Sequence, residues 1–250
     1  MKIVISESQY NRLIEAEEKP KILEFPSLEF FDNDPFEAWK IIQKIIERKG
    51  NPPYSIDGDL DLRRTAIESL GNLQSVGGEL DLEGTPIESL GNLVSVGGFL
   101  DLRNTPIESL GNLQSVGGNL DLYGIPIKSL GNLQSVGGYL DLGRTPIKSL
   151  GNLISVGGDL DLHGTEIKSL GNLISVGGYL DLGITPIESL GNLQSVGGNL
   201  NLRYTPIKYL GNLTSVGRNL YLIGTPLSKM YSGKQIRQMV NVGGKINLFK

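Results

Sequence analysis

From residue 57 to about residue 226 the chain repeats itself every 20 residues, with almost no drift and no insertion. The unit reads x-L-D-L-x-x-T-P-I-x-S-L-G-N-L-x-S-V-G-G. Its Leu-x-Leu pair returns nine times, from Leu60/Leu62 to Leu220/Leu222. An imperfect tenth copy closes at Ile246-Asn247-Leu248. So short a period leaves few folds open. One unit cannot bury its own apolar groups, so each must stack on the next.

Within a unit, the alternation in Asp59-Leu60-Asp61-Leu62-Arg63 predicts a strand with its leucines inward and its charged residues outward. Thr65-Ala66 (Thr-Pro in most copies) takes the chain out of the strand, because proline cannot continue a ladder. Ile67, Leu70, Leu73 and Val76 follow at spacings of three, which suits a tight arc, either extended or a short 3₁₀ turn. Gly71 and the Gly77-Gly78 pair are expected at turns with positive φ. Each large aliphatic group contributes roughly 1.5–3 kcal/mol once stacking buries it. The expected fold is mostly β, a right-handed parallel β-solenoid of 20-residue coils over residues 57–226. A helical N-terminal arm and cap at 1–56 and a short helix-strand cap at 227–250 complete it.

Particular residues carry a likeness to known solenoids. Leu100-Asp101-Leu102-Arg103-Asn104-Thr105-Pro106-Ile107 resembles the L-x-L-x-x-N-x-L core of leucine-rich repeats, with Thr where that family has Asn. The run from Leu113 through Ser115-Val116-Gly117-Gly118 resembles the coils of receptor L-domains. These resemblances cover residues 57 to about 226 and imply a parallel ladder on one face and a binding role, often for protein. Asn72 and its seven successors through Asn212 are expected to supply a stacked amide ladder in place of the family's Asn row. Met1–Ala16 and the chain's ending resemble small repeat proteins encoded by bacteriophages, which implies a place in the host cytoplasm.

Both ends of a solenoid need covering. Residues 34–50 predict a helix with Asp34 as cap, Pro35 at the first helical position and Glu37 closing a capping box. Its apolar face is Trp39, Ile42 and Ile46, with Ala38, Ile41 and Ile45 beside them. Residues 6–18 suggest another helix, and 19–33 read as irregular. Near the other end Ser232 and Gln235 predict a short capped helix with Ile236 and Met239 inward.

Asp61, Asp81, Asp101, Asp121, Asp141, Asp161 and Asp181 take the same outward place in seven successive coils. At a strand spacing of about 4.8 Å, neighbouring carboxylates repel by roughly 0.9 kcal/mol even in water. Such a row is read either as a solubility device that discourages sideways pairing or as a ligand face. A calcium row is disfavoured, because one carboxylate per coil gathers few ligands at one point. Phe99, Asp101, Arg103, Asp121, Tyr123, Tyr139, Asp141, Asp161, Tyr179 and Asp181 are the candidate partner-binding residues. Acid with aromatics on a rigid sheet suits a basic protein. A second column, Glu68, Glu88, Glu108, Lys128, Lys148, Lys168, Glu188 and Lys208, divides into blocks of one sign.

Other classes find less support. A net charge of −4 gives no electrostatic pull toward nucleic acid. The absence of cysteine removes disulfides and thiolate metal sites. The polar turn at Ser6-Glu7 does not suit a signal peptide, and no apolar run suits a membrane span. His163 is the lone histidine, Ser69 and its copies have no base beside them, and no coil breaks the repeat as an active site would. The sequence therefore points to a non-enzymatic module with no cofactor and no small-molecule substrate. A polyanion (DNA) mimic, a structural rod and a carbohydrate-processing β-helix are the alternatives.

Overall fold

Each Leu-Asp pair of the repeat hydrogen-bonds in register to the next one 20 residues on, Leu140 with Leu160 and Asp141 with Asp161. In the computed structural model, which describes residues 22–26 and 35–249, these pairs build a 10-stranded parallel sheet. A second parallel sheet of 11 strands runs along the Ser-Val pairs, with Ser135 on Ser155 and Val136 on Val156. The fold is a parallel β-solenoid. The sequence anticipated one ladder and a back that is extended or a short 3₁₀ turn. The Ser-Val ladder forms because each Val points into the core while the Ser beside it faces out, so this side also repeats every 20 residues.

The core is the continuous interior of the coils. Leu60, Leu62, Leu70, Leu73 and Val76 are buried, and their copies follow along the rod. Thr85 and its later copies are buried too, each donating its hydroxyl to the carbonyl three residues back, as Thr145 does to Leu142 at 2.7 Å. A buried hydroxyl thus finds its acceptor inside its own turn. Ile125 replaces this Thr in one coil and is equally buried.

The glycines divide by cause. Gly71 and its copies have φ near +57°, as expected of turn glycines. Gly77 and Gly78 do not lie in that region, which corrects the sequence reading. They are glycines because the coils nearly touch there: a Cβ on Gly97 would lie 2.0 Å from the carbonyl oxygen of Gly77.

Left-handed backbone occurs at a further column that the sequence did not reveal. Arg64, Gly84, Asn104, Gly124, Arg144, Gly164, Ile184, Tyr204 and Gly224 all have positive φ. Large and glycine residues alternate as far as Ile184. A Cβ on Gly84 or Gly164 would meet the Cγ of Arg64 or Arg144 at an ordinary 3.6 Å, and one on Gly124 would meet nothing within 4 Å. One on Gly224 would lie 2.5 Å from the Tyr204 ring, so crowding requires glycine only at the last of these positions.

On the third side the coils join by bridges at two places among the described residues, Ser109 with Ser129 and Ser169 with Ser189. Both coincide with a change of sign in the charged column, Glu108 to Lys128 and Lys168 to Glu188. Lys128 and Glu108 pair at 2.6 Å. The Asn column is not a continuous amide ladder. Asn92 donates to the Asn72 side chain, whereas Asn112, Asn172 and Asn212 donate to a glycine carbonyl of the preceding coil.

At the N-terminal end helix α1, Pro35–Arg48, buries Ala38, Trp39, Ile42 and Ile46 against the first coil, while Ile41 turns outward. Asp34 and residues 6–18 lie outside the described residues, so their expected cap and helix do too. Residues Leu23–Phe25, expected to be irregular, instead form a strand on Tyr54–Ile56. This strand extends the Ser-Val sheet past Tyr54–Ile56, and Phe25 meets Tyr54 edge to face at 6.1 Å. At the other end Thr225 caps α2, Pro226–Met230, which the sequence reading did not anticipate. Helix α3, Gly233–Met239, has the expected Ser232–Gln235 capping box. Ile236 is buried, but Met239 is exposed, contrary to expectation.

Candidate functional site

The ten candidate residues all lie on the outer side of the Leu-Asp sheet or at its strand ends, yet they differ in exposure and pairing. Each Asp of the ladder first satisfies its own turn. The N–H two residues on donates to its Oδ1, from Arg103 to Asp101 at 2.9 Å, Gly143 to Asp141 at 2.8 Å and His163 to Asp161 at 2.7 Å. This local bond is what short acidic side chains offer a turn. The ladder therefore has a structural task in every coil, whatever else it does.

The N-terminal part of the row also has built-in cations. Arg103 grips Asp101 with Nε and Nη2, 3.0 Å from Oδ1 and 2.5 Å from Oδ2, and lies 3.9 Å from Glu83 and 4.0 Å from Asp121. Asp101 is only 1% exposed, so it cannot act as the outward contact residue expected of it. Arg63 pairs with Asp61 and reaches Asp81 at 3.5 Å. Asp81, Glu83 and Asp101 bring their oxygens within 4.8 Å of one another, but these two guanidinium groups already neutralise that cluster.

Farther along, the pairing changes. Asp141 and Asp161 have no ion-pair partner among the described residues, and each keeps one oxygen free of protein donors. Asp181 is held differently, by the Asn201 amide at 2.8 Å and the Tyr179 hydroxyl at 2.7 Å. Burial pushes the Asp141 carboxyl above the usual range; the Gly143 N–H opposes this, and Asp161 and Asp121 add to it. Burial likewise raises the Tyr139 and Tyr179 hydroxyls, and the carboxylates nearby add to the effect.

Tyr139, Asp141, Asp161 and Tyr179 come together. With Leu140, Asp159 and Leu160 they line a slot of about 210 Å³. The backbone of each wall is fixed from the coil before. The Tyr139 N–H donates to Asn119 Oδ1 at 3.0 Å, and the Tyr179 N–H donates to Asp159 Oδ1 at 2.6 Å. Gly138 and Gly178 make room for these bonds, since a Cβ there would lie 2.0 and 2.1 Å from the accepting oxygens. Arg103, Asp121, Tyr123 and Asp141 border a second depression of about 450 Å³ around Gly124. Phe99 lines neither and is half-buried on its own coil.

Two residues missed from the sequence belong to the same side of the rod. Ile184 is 66% exposed and Tyr204 49%, in adjacent coils of the left-handed column. A β-branched residue at φ +61° is an outlier. Their only sequence signal was the break in glycine alternation. Across the rod, the Ser-Val-Gly columns form a groove of about 810 Å³ running from Ser95 to Gly243. It is floored by small residues, whose glycines are explained by coil contact.

No family model, curated protein or solved structure matches this chain. No helix among the described residues is long and apolar enough to cross a membrane.

Proposed function

We propose that this chain is a non-enzymatic protein-binding module that receives a basic segment of its partner on the Leu-Asp sheet, over the coils from residue 139 to residue 204. One observation carries the reading: the Asp row is neutralised by arginines at Arg63 and Arg103, but among the described residues it runs without a cation through Asp141 and Asp161, where tyrosines flank it. Acidic groups left without an internal cation beside aromatics suit a cationic surface. Strain at exposed Ile184 adds support, since costly backbone is commonly kept at contact sites. The arginines set into the row count against mimicry of a uniform polyanion. The likeness to leucine-rich repeats is consistent with protein binding, and the likeness to phage-encoded repeat proteins would make the partner a host protein.

The test is titration with a hexalysine and a hexaglutamate peptide, followed by amide NMR shifts. Hexalysine should shift residues 139–204 of the Leu-Asp sheet, with an affinity that falls as salt rises. Shifts confined to the Ser-Val side, or equal response to both peptides, would overturn the reading.

A further inference from the structure

The slot between Tyr139 and Tyr179 has dimensions and chemistry that specify its occupant more narrowly than the face as a whole. The two tyrosines occupy the same column two coils apart, so their levels differ by about 9.6 Å at the usual strand spacing of about 4.8 Å. A group midway lies about 4.8 Å from each level, within reach of both side chains. The intervening residue, Asp159, does not bridge the gap with an aromatic of its own, and its Oδ1 is engaged by the Tyr179 N–H. The floor is the backbone of Leu140 and Leu160, whose side chains point into the core, and the Asp141 and Asp161 carboxylates stand beside it.

The backbone of both walls and the Tyr179 hydroxyl are held before any ligand arrives. Both tyrosine N–H groups are tied to the preceding coil, and the Tyr179 hydroxyl is tied to Asp181 at 2.7 Å. A side chain tied in this way, as Tyr179 is, loses little freedom on binding. Its volume of about 210 Å³ suits a single head group and not a peptide strand.

We propose that this slot binds one organic cation, the ammonium or guanidinium head of a basic side chain, between the two tyrosine rings and above the Asp141 and Asp161 carboxylates. The proposal rests on the reading of this face as the surface for a basic partner, and names the group that the face grips.

The experiment uses the full chain and three small probes at constant ionic strength: tetramethylammonium, ethylguanidinium and its neutral look-alike ethylurea. Amide signals of Leu160 and Asp161 report occupancy. Both cations should give saturable shifts there and ethylurea none. A Tyr139→Leu/Tyr179→Leu variant keeps apolar bulk but removes the rings, and should bind the cations at least tenfold more weakly, with an unchanged circular dichroism spectrum. If that pair disturbs the fold, Asp141→Asn/Asp161→Asn should weaken the cations by a similar factor. Equal shifts from ethylurea and ethylguanidinium, or full binding by the leucine variant, would overturn the slot. Hexalysine separates the two ideas. Peptide binding with unchanged affinity in the leucine variant removes the slot and leaves the face. Saturation by small cations without peptide binding keeps the slot as a cation site and removes the protein-binding reading.

Discussion

A Cβ placed on Gly137 would lie 2.1 Å from the carbonyl oxygen of Gly117, one coil below. Neither atom can move far, because both coils are held in the Ser-Val ladder on one side and in the Leu-Asp ladder on the other. The glycine column thus sets how closely the coils stack.

Gly137→Ala should therefore be severe, destabilising by about 3 kcal/mol or more, the upper part of the range for single changes. Gly124→Asn is the control. Gly124 has φ +68° with open space around its missing Cβ, and Asn104 already holds the equivalent place one coil earlier. That change should stay within about 1 kcal/mol of the parent. Chemical denaturation of both variants checks the contrast, and equal losses would contradict it.

Ile184→Gly should stabilise the chain. Left-handed backbone costs a non-glycine residue roughly 1–2 kcal/mol, and glycine's greater freedom when unfolded cancels about 0.5–1 kcal/mol of the gain. The exposed Ile184 side chain gives up little buried surface. A higher melting temperature with weaker hexalysine binding would show that the strain is kept for contact. A lower melting temperature would mean that Ile184 supports the fold.

Two aspartates of one ladder should respond with opposite sign. Asp101→Asn removes the carboxylate from a bidentate pair with Arg103 and should cost about 1.5–3 kcal/mol, the range for hydrogen bonds to charged groups. Asp141→Asn retains the acceptor for the Gly143 N–H while removing a charge that burial disfavours. It should melt higher than the parent at neutral pH. Thermal melts at pH 7 decide the pair.

The same residue sets a pH dependence. A carboxyl whose folded pKa is raised above its unfolded value of about 3.9 binds protons more readily in the native state. Its contribution to stability is full below about pH 3.9, is lost as pH rises through the folded value, and then stays level. Asp81 is raised by the same leading cause and should behave alike. The advantage of Asp141→Asn over the parent should accordingly grow from pH 3.5 to neutrality. An advantage that is largest in acid would show the sign to be wrong.

What the sequence made legible was everything that one coil decides for itself. Leu60, Leu62, Leu70 and Val76 are buried as their spacing implied, and Gly71 turns with positive φ. What it concealed depends on the distance between backbones. Gly77 and Gly97 look like turn residues until their separation is known. Asp159 reads as one more surface acid until its Oδ1 is seen holding Tyr179. Likewise Asp101 reads as exposed because nothing in its own strand shows Arg103 folding over it. The slot escaped for the same reason, since its two walls come from coils 40 residues apart in sequence.

The alternation at the left-handed column has a consequence for how such a chain can grow or shrink. Between Arg64 and Ile184 large and glycine residues take turns, with a full cycle of 40 residues rather than 20. Excising two consecutive coils there would leave the cycle in phase, whereas excising one would set two bulky neighbours or two glycines side by side. Ile184 and Tyr204 are two such bulky neighbours, so the rod already contains a phase slip. In lattice terms it is a stacking fault between two well-ordered stretches, and it lies within the face assigned to binding.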